Sequence, residues 1–131
     1  MIRYTNNLTN LEEAMLCGFF VGWSNPPTPT EHMKILKGSY CVWLAIDTKT
    51  NKVVGFINAI SDGVLSAYIP LLEVLPKYKK SGIGKKLVGN MLDSLKEFYM
   101  IDVVHDAELQ EYYAQFGMSK CVASVLRNFN T

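Results

Sequence analysis

Residues 74–87 read VLPKYKKSGIGKKL and decide the fold. A β-rich run ends at Pro76, a turn follows, and Gly82 and Gly84 alternate with one apolar residue where a helix begins. The first amides of a helix have no internal partner and carry partial positive charge, and glycine lets a ligand approach them closely. The pattern therefore predicts an anion site, with a solvated, Lys-rich helix start as the alternative. Neither GxxxxGK[ST] nor GxGxxG is present, which excludes a P-loop and the dinucleotide fingerprint.

The elements on either side of this stretch form a predicted βαβ unit. Residues 64–75 are strand-like, residues 82–99 place apolar side chains on one helix face, and residues 101–105 form a short strand. A strand, a crossover helix and a second strand of this length favour a parallel pair. Downstream, a helix at 107–116 is stopped by Gly117, and residues 121–129 read as a last strand.

The first half of the chain supplies the remaining elements. The order β-α-α-β-β-β-α-β-α-β predicts an α/β (α+β) fold with a central, mostly antiparallel mixed sheet and about four flanking helices. The predicted elements are an edge strand at 2–5, a helix at 11–23 capped by Thr9 and Glu12, a helix at 28–38 with Pro29 in first position, and two strands at 40–47 and 52–60.

Length and charge limit the function classes. The 131 residues, 49% of them apolar, suit one folded domain spanning 1–131. A net charge of +1 favours neither nucleic acid nor an anionic membrane, and no apolar run is long enough to span a bilayer. A nucleic-acid binder using the lysine cluster is a weak alternative because only two arginines are present. Three widely spaced cysteines, Cys17, Cys41 and Cys121, form no zinc or disulfide pattern and are interpreted as buried thiols of a cytoplasmic protein.

The segment Lys79-Lys80-Ser81-Gly82-Ile83-Gly84 resembles the acyl-CoA signature of the GNAT superfamily of N-acetyltransferases, Gln/Arg-x-x-Gly-x-Gly/Ala. The preceding Val74-x-Pro76-x-Tyr78 matches the common lead-in, and the predicted element order agrees over nearly the whole chain. The departures are Lys79, where the family usually has Gln or Arg, and Lys80, where Gly is frequent. Both keep or add positive charge, so they bear on the conformation of the loop more than on its affinity for phosphate.

The resemblance implies a GNAT-like fold, acetyl-CoA as co-substrate and no metal. Acyl-CoA would lie in a notch where the strand ending at Leu75 and the strand 101–105 splay apart. Backbone groups of Leu72 and Val74 would pair with the pantetheine arm like an added strand. The pyrophosphate would be held by the loop residues Lys79, Lys80, Ser81, Gly82, Ile83, Gly84 and Lys85.

Residues 111–118, EYYAQFGM, resemble the family's Tyr-x-x-x-Gly-Phe ending, with Met118 in place of Phe. The resemblance makes Tyr113 the acid that protonates the departing CoA thiolate, a role that suits a phenol at hydrogen-bond distance. Packing beside Tyr112 is the alternative. Asp106 stands where the family often has Asn; it keeps a helix cap but removes an amide donor near the pantetheine.

A base is needed because only a neutral amine attacks a thioester. Glu73 is the first candidate, since a charge among Leu71, Leu72 and Val74 is unusual, although an exposed strand position explains it as well. Asp62 and His105 are weaker candidates. Aromatic residues of the first half (Phe19, Phe20 and Trp23) are candidates for the acceptor pocket or for the core.

Two functions remain open from the sequence. The leading one is transfer of an acetyl group from acetyl-CoA to a primary amine of a small molecule or peptide, by direct attack, with Tyr113 and Glu73 as catalytic residues. The other is a non-catalytic acyl-CoA-binding or regulatory module. Many proteins of this family dimerise, so a homodimer is an expected arrangement.

Overall fold

The structure, a computed structural model, describes residues 1–128. Its centre is one five-stranded sheet in which the strands lie in chain order: β1 (Ile2–Thr5), β2 (Cys41–Asp47), β3 (Lys52–Ser61), β4 (Ser66–Val74) and β5 (Met100–Asp102). The pairs from β1 to β4 are antiparallel, and β4 pairs with β5 in parallel. The predicted mixed sheet with one parallel pair is therefore confirmed.

Helices cover both faces of this sheet. The described residues form three α-helices, α1 (Pro29–Lys37), α2 (Ile83–Ser94) and α3 (Gln110–Ala114), rather than about four. One core lies under α1 and the aromatic residues Phe19 and Phe20, and the other lies between the sheet and α2. The central strand β3 is buried over seven consecutive residues, which explains why its sequence is apolar without alternation.

Gly55 sets how closely α2 approaches the sheet. A Cβ built on Gly55 would lie 3.1 Å from side-chain atoms of both Ile83 and Leu87, and 3.4 Å from Val74. Glycine in a central strand often marks such a close approach. The first turn of α2 consequently lies against the end of β4, and this contact positions the site described below.

The prediction of a helix at residues 11–23 is wrong over most of that range. Only Glu13–Leu16 is helical, as a 3₁₀ turn, and the chain then turns repeatedly because Gly18, Phe20 and Gly22 have φ of 94°, 63° and 87°. A right-handed helix cannot contain such residues. Thr9 does not cap the turn either, since its hydroxyl donates to Asn7 Oδ1 at 2.6 Å.

Other boundaries differ by a few residues. The helix start at Thr28 and Pro29 is confirmed, with Thr28 Oγ1 accepting the Glu31 N–H at 3.1 Å. The predicted helix at 82–99 ends at Ser94, and the helix at 107–116 divides into a 3₁₀ turn, Ala107–Leu109, followed by α3. The differences lie at helix ends, where turn-type backbone hydrogen bonds, such as that from the Leu95 N–H to the Met91 carbonyl at 3.0 Å, continue for a few residues.

The predicted last strand is absent from the described residues. Residues 119–128 form no strand and are all exposed, and Phe129 lies outside the described residues. A strand requires a partner, and within residues 1–128 none lies beside this segment. Cys17 and Cys121 are also exposed, so the expectation of three buried thiols is wrong.

Candidate active site

The loop between β4 and α2 leads to a helix start with no side-chain cap. Gly82 is the N-cap residue with a left-handed φ of 85°, and Lys80 also has a left-handed φ, 65°. The first amides of a helix lack partners within the helix, and no side chain caps these ones. A Cβ built on Gly82 would meet no atom within 4 Å, so the space beside these amides is open. This arrangement fits an anion.

Exposed lysines surround this helix start without compensating carboxylates. The five are Lys77, Lys79, Lys80, Lys85 and Lys86. The ion pair found in residues 1–128 lies elsewhere, between Lys96 and Asp93 at 3.9 Å. The positive charge of the lysines thus adds to the partial charge of the helix terminus.

A hydrogen bond from Tyr78 anchors the turn before the loop. Its hydroxyl donates to Asp47 Oδ2 at 2.6 Å, from the 3₁₀ turn Pro76–Tyr78 to the end of β2. This bond lowers the pKa of Asp47, with a further contribution from the Lys49 N–H, and raises the pKa of Tyr78. Sequence reasoning missed the pair because 31 residues separate its members and no local pattern connects them.

The splayed strand pair lies where the family resemblance places it. β5 pairs with β4 only at residues 66–68, whereas β4 continues to Val74. Leu75 donates its N–H to Val54 on β3 at 2.8 Å. Because backbone groups alternate in direction along a strand, those of Leu72 and Val74 point away from β3, into the gap beyond β5. No described residue forms a hydrogen bond with these backbone groups there. A pantetheine arm that pairs with β4 would need them unoccupied.

Two tyrosines of α3 lie beside this gap. Tyr113 is buried and stacks on His105, with ring centroids 4.7 Å apart. Tyr112 packs edge-on against Tyr113, with ring centroids 5.1 Å apart. The Tyr112 hydroxyl lies 3.1 Å from a Cβ built on Gly84, at the start of α2. Burial raises the pKa of both phenols, and their mutual interaction raises that of Tyr113 further. Both groups are therefore neutral hydrogen-bond donors at neutral pH.

Glu73 holds the loop that follows the first 3₁₀ turn. Its Oε1 accepts the N–H of Phe20 at 2.8 Å, and its Oε2 accepts the N–H of Val21 at 3.2 Å. Glu73 lies opposite Phe56 on β3, on the α1 side of the sheet. The half-buried carboxylate thus has partners for both oxygens, a role that its position in the sequence did not reveal.

A cavity of about 310 Å³ opens between this loop and the end of β4. It brings together the candidate base Glu73, the candidate pantetheine-binding residues Leu72 and Val74, and Lys79, the first residue of the segment 79–85 predicted to bind an anion (the anion loop). Its lining includes Phe20, Val21, Trp23, Phe56, Leu72, Glu73, Val74 and Lys79. Phe20 and Trp23 therefore border the cavity, and Phe20 also belongs, with Phe19, to the core under α1.

The weaker base candidates have other roles. Asp62 Oδ1 accepts the N–H groups of Val64, Leu65 and Ser66, and these bonds lower its pKa. It borders a separate groove with Tyr68 and Asp102, not the cavity of Glu73. His105 Nδ1 lies 2.7 Å from the carbonyl oxygen of Asp106. Asp106 precedes the 3₁₀ turn but makes no side-chain cap.

His32 is a buried polar group that the sequence analysis did not single out. It is 1% exposed, packs against Phe19, Phe20 and Phe56, and neither ring nitrogen has a hydrogen-bond partner within residues 1–128. Burial lowers its pKa to about 4. It therefore lies behind the cavity wall as a neutral ring.

Two observations within residues 1–128 bear on metals and membranes. No group of three His, Cys, Asp or Glu side chains is arranged to hold a metal ion. No helix there has both the length and the apolar character needed to cross a bilayer.

Comparison with known families agrees with this geometry. The model of the acetyltransferase (GNAT) family matches residues 8–118. The chain belongs to the GNAT family. Every site residue predicted above, from Leu72 to Tyr113, lies inside the matched part, and the predicted family is confirmed.

Three individual proteins are similar to most of the chain. An uncharacterised N-acetyltransferase of Pyropia yezoensis, ycf52, is 30% identical over 119 residues, covering 87% of this chain and 66% of its own length. A candidate acetyltransferase from Deinococcus radiodurans is 38% identical, with a TM-score of 0.93 over 97% of this chain and 88% of its own. A GNAT-family acetyltransferase from Streptococcus pneumoniae is 27% identical, with a TM-score of 0.77 over 98% of both chains.

Proposed function

We propose that this chain transfers an acetyl group from acetyl-CoA to the nitrogen of a primary amine. The observation that carries the proposal is the uncapped, lysine-rich helix start at Gly82 beside the free edge of β4. In a GNAT chain, this helix start suits the pyrophosphate of an acyl-CoA, and the free strand edge suits its pantetheine arm. When bound, acetyl-CoA supplies an activated acetyl group as a thioester.

The binding roles follow from the geometry of the chain. The amides and lysines from Lys79 to Lys85 hold the pyrophosphate, because unpartnered N–H groups and cations both stabilise phosphate oxygens. The backbone groups of Leu72 and Val74 pair with the pantetheine amides in the manner of an added strand. The thioester then lies near the cavity that Glu73 and Trp23 line.

The amine nitrogen attacks the thioester carbonyl carbon, the carbon–sulfur bond breaks, and the sulfur leaves as a thiolate. Tyr113 donates its hydroxyl proton to that thiolate, since its phenol stays protonated at neutral pH. Glu73 takes the proton that the amine releases, directly or through a water molecule. In addition, the same carboxylate positions Phe20 and Val21 at the cavity wall.

A non-catalytic acyl-CoA-binding module is the second candidate, favoured by the two hydrogen bonds that already occupy Glu73. Calorimetry with acetyl-CoA, followed by an assay of CoA release over a panel of primary amines, separates the two. Micromolar binding with amine-dependent CoA release supports the enzyme. Binding without release by any amine supports the module, and absence of binding contradicts both.

A further inference from the structure

A second cavity, also of about 310 Å³, lies where β1 and β2 meet the loop before the first 3₁₀ turn. Its apolar lining is buried or half-buried and consists of Leu11, Met15, Leu44 and Ile46. Its polar lining is largely exposed and consists of Arg3, Thr5, Asn7, Asn10 and Asn51. Small-molecule sites of about 300–1,000 Å³ combine an apolar lining with a few polar groups in this way.

The charge of this second cavity comes from Arg3 alone. None of the described residues that line it carries a carboxylate, and the Arg3 guanidinium forms no ion pair within residues 1–128. Asp47 follows Ile46 in the chain, but its Oδ2 accepts the Tyr78 hydroxyl and its Oδ1 accepts the Lys49 N–H. An uncompensated cation beside an apolar surface favours an anionic ligand.

The amide side chains of the cavity add hydrogen-bond donors to this charge. Asn7 uses its Oδ1 to accept the N–H and the hydroxyl of Thr9, which leaves its NH2 group for a ligand. Asn10 and Asn51 each bring a further NH2 group to the lining. A guanidinium binds a carboxylate through two parallel hydrogen bonds, and amide NH2 groups can donate to the remaining lone pairs.

This cavity is separate from the one that Glu73 lines. Thr5, Leu44, Phe56 and Glu73 lie opposite one another in turn across the four antiparallel strands. Three steps between neighbouring strands place the two ends of this row roughly 14 Å apart on one face of the sheet. The two cavities share no lining residue, and Leu44 and Phe56, one from each, belong to the same buried core.

We propose that the second cavity binds a small aliphatic carboxylate, with its carboxylate on Arg3 and its carbon chain against Leu44 and Ile46. An inorganic anion would leave the apolar lining uncovered, and an amine would be repelled by the guanidinium. The inference is independent of the proposed acetyl transfer, because none of the residues assigned to that reaction lines this cavity.

The test titrates the ¹⁵N-labelled full-length chain with isovalerate and follows the backbone amides by NMR. Isovaleramide is the matched neutral probe, since it has the same carbon skeleton without the charge. Arg3→Gln removes the cation, and Arg127→Gln is the matched control at the other arginine of the chain. Both arginines are exposed, so both variants are expected to fold.

We expect saturable isovalerate shifts at the amides of Arg3, Asn10 and Asn51. Arg3→Gln should weaken binding at least fivefold and Arg127→Gln less than twofold, and the wild-type chain should bind isovaleramide at least fivefold more weakly. Saturating CoA should change the isovalerate affinity less than twofold, because the sites are separate.

Three results would each overturn the proposal. The first is the absence of saturable shifts at millimolar isovalerate, and the second is a set of shifts centred on residues 79–85 instead. The third is equal affinity of the wild-type chain for isovalerate and isovaleramide, which needs no variant and therefore holds whether or not Arg3→Gln folds.

Discussion

Glu73 Oε1 accepts the backbone N–H of Phe20 at 2.8 Å, across 53 residues of sequence. Phe20 has a φ of 63°, a conformation that non-glycine residues rarely adopt and that costs on the order of 1 kcal/mol or more. A charged acceptor at this amide offsets that cost. The candidate base is therefore also the group that holds the cavity wall against β4.

This double role shapes the test of Glu73. In Glu73→Gln, one carboxylate oxygen is replaced by an NH2 group, which cannot accept an N–H, and the neutral amide cannot take a proton from the amine. We expect acetyl transfer at pH 7 to fall roughly tenfold or more, and to recover at high pH where the amine is already neutral. Acetyl-CoA affinity, measured by calorimetry, should change less than twofold.

The pH–rate profile distinguishes a base from a positioning residue. A loss of rate that is constant with pH and is accompanied by a higher KM for the amine would assign Glu73 to loop positioning alone. Glu73→Asp is the matched control, because it keeps a carboxylate on a shorter side chain and should retain more of the low-pH rate than Gln.

Gly82 provides the test of the anion site. Gly82→Asp places a carboxylate beside the uncapped amides and should weaken CoA binding at least tenfold by charge repulsion. Gly82→Ala is the control, since both variants strain the left-handed backbone at φ 85° but a Cβ there meets no atom within 4 Å. Equal losses of CoA affinity in the two variants would attribute the effect to strain and contradict the site.

The lysines near the start of α2 are expected to strengthen CoA binding by their charge without making it specific. Lys86→Gln should weaken CoA by about 1 kcal/mol, or about fivefold, with a smaller effect in high salt. At Lys80, asparagine is the suitable replacement, because it removes the charge and tolerates the φ of 65°. Calorimetry at low and high salt measures the change, and identical losses under both conditions would contradict an electrostatic role.

Tyr113→Phe tests the acid. The ring and its stacking on His105 remain, so folding and CoA affinity should be nearly unchanged, while turnover falls roughly ten- to a thousand-fold. Tyr112→Phe removes the hydroxyl beside Gly84 and should preserve turnover. Steady-state kinetics of both variants decide between the two phenols. The reverse pattern would transfer the role to Tyr112, and full activity of both would mean that the thiolate leaves without help from either.

His32 makes stability depend on pH. Its folded pKa of about 4 lies below the ordinary value of 6.5, so the unfolded chain binds the proton more readily. The folded state is therefore favoured above pH 6.5 and loses on the order of 3 kcal/mol as pH falls towards 4. Urea unfolding of His32→Leu should show a flatter dependence in this window and no loss of stability at pH 7. Equal slopes for the two proteins would contradict this role of His32.

Much of the fold was predictable because its determinants are local. The helix start at Thr28 and Pro29 and the glycines at the start of α2 are each specified by residues within a few positions of one another. The parallel pairing of β4 with β5 also followed from local patterns, since a crossover helix of this length permits little else.

The failures occurred where a local pattern was real but tertiary contacts overrode it. Residues 11–23 have helical apolar spacing, yet Glu73 draws the N–H groups of Phe20 and Val21 towards β4 and the chain leaves the helix. Residues 119–128 have the composition of a strand, but this segment pairs with no other strand within residues 1–128.

The sequence by itself indicated the family and predicted an anion site at residues 79–85 and an acid at Tyr113, because motifs and periodicity depend on neighbouring residues. The tertiary structure alone decided that Glu73 clamps the cavity wall, that Tyr78 bonds to Asp47, and that Tyr112 rather than Tyr113 lies beside Gly84. These contacts join residues that are far apart in the chain. They form only when the sheet and helices pack together, because packing fixes which groups are buried and in which direction the backbone points.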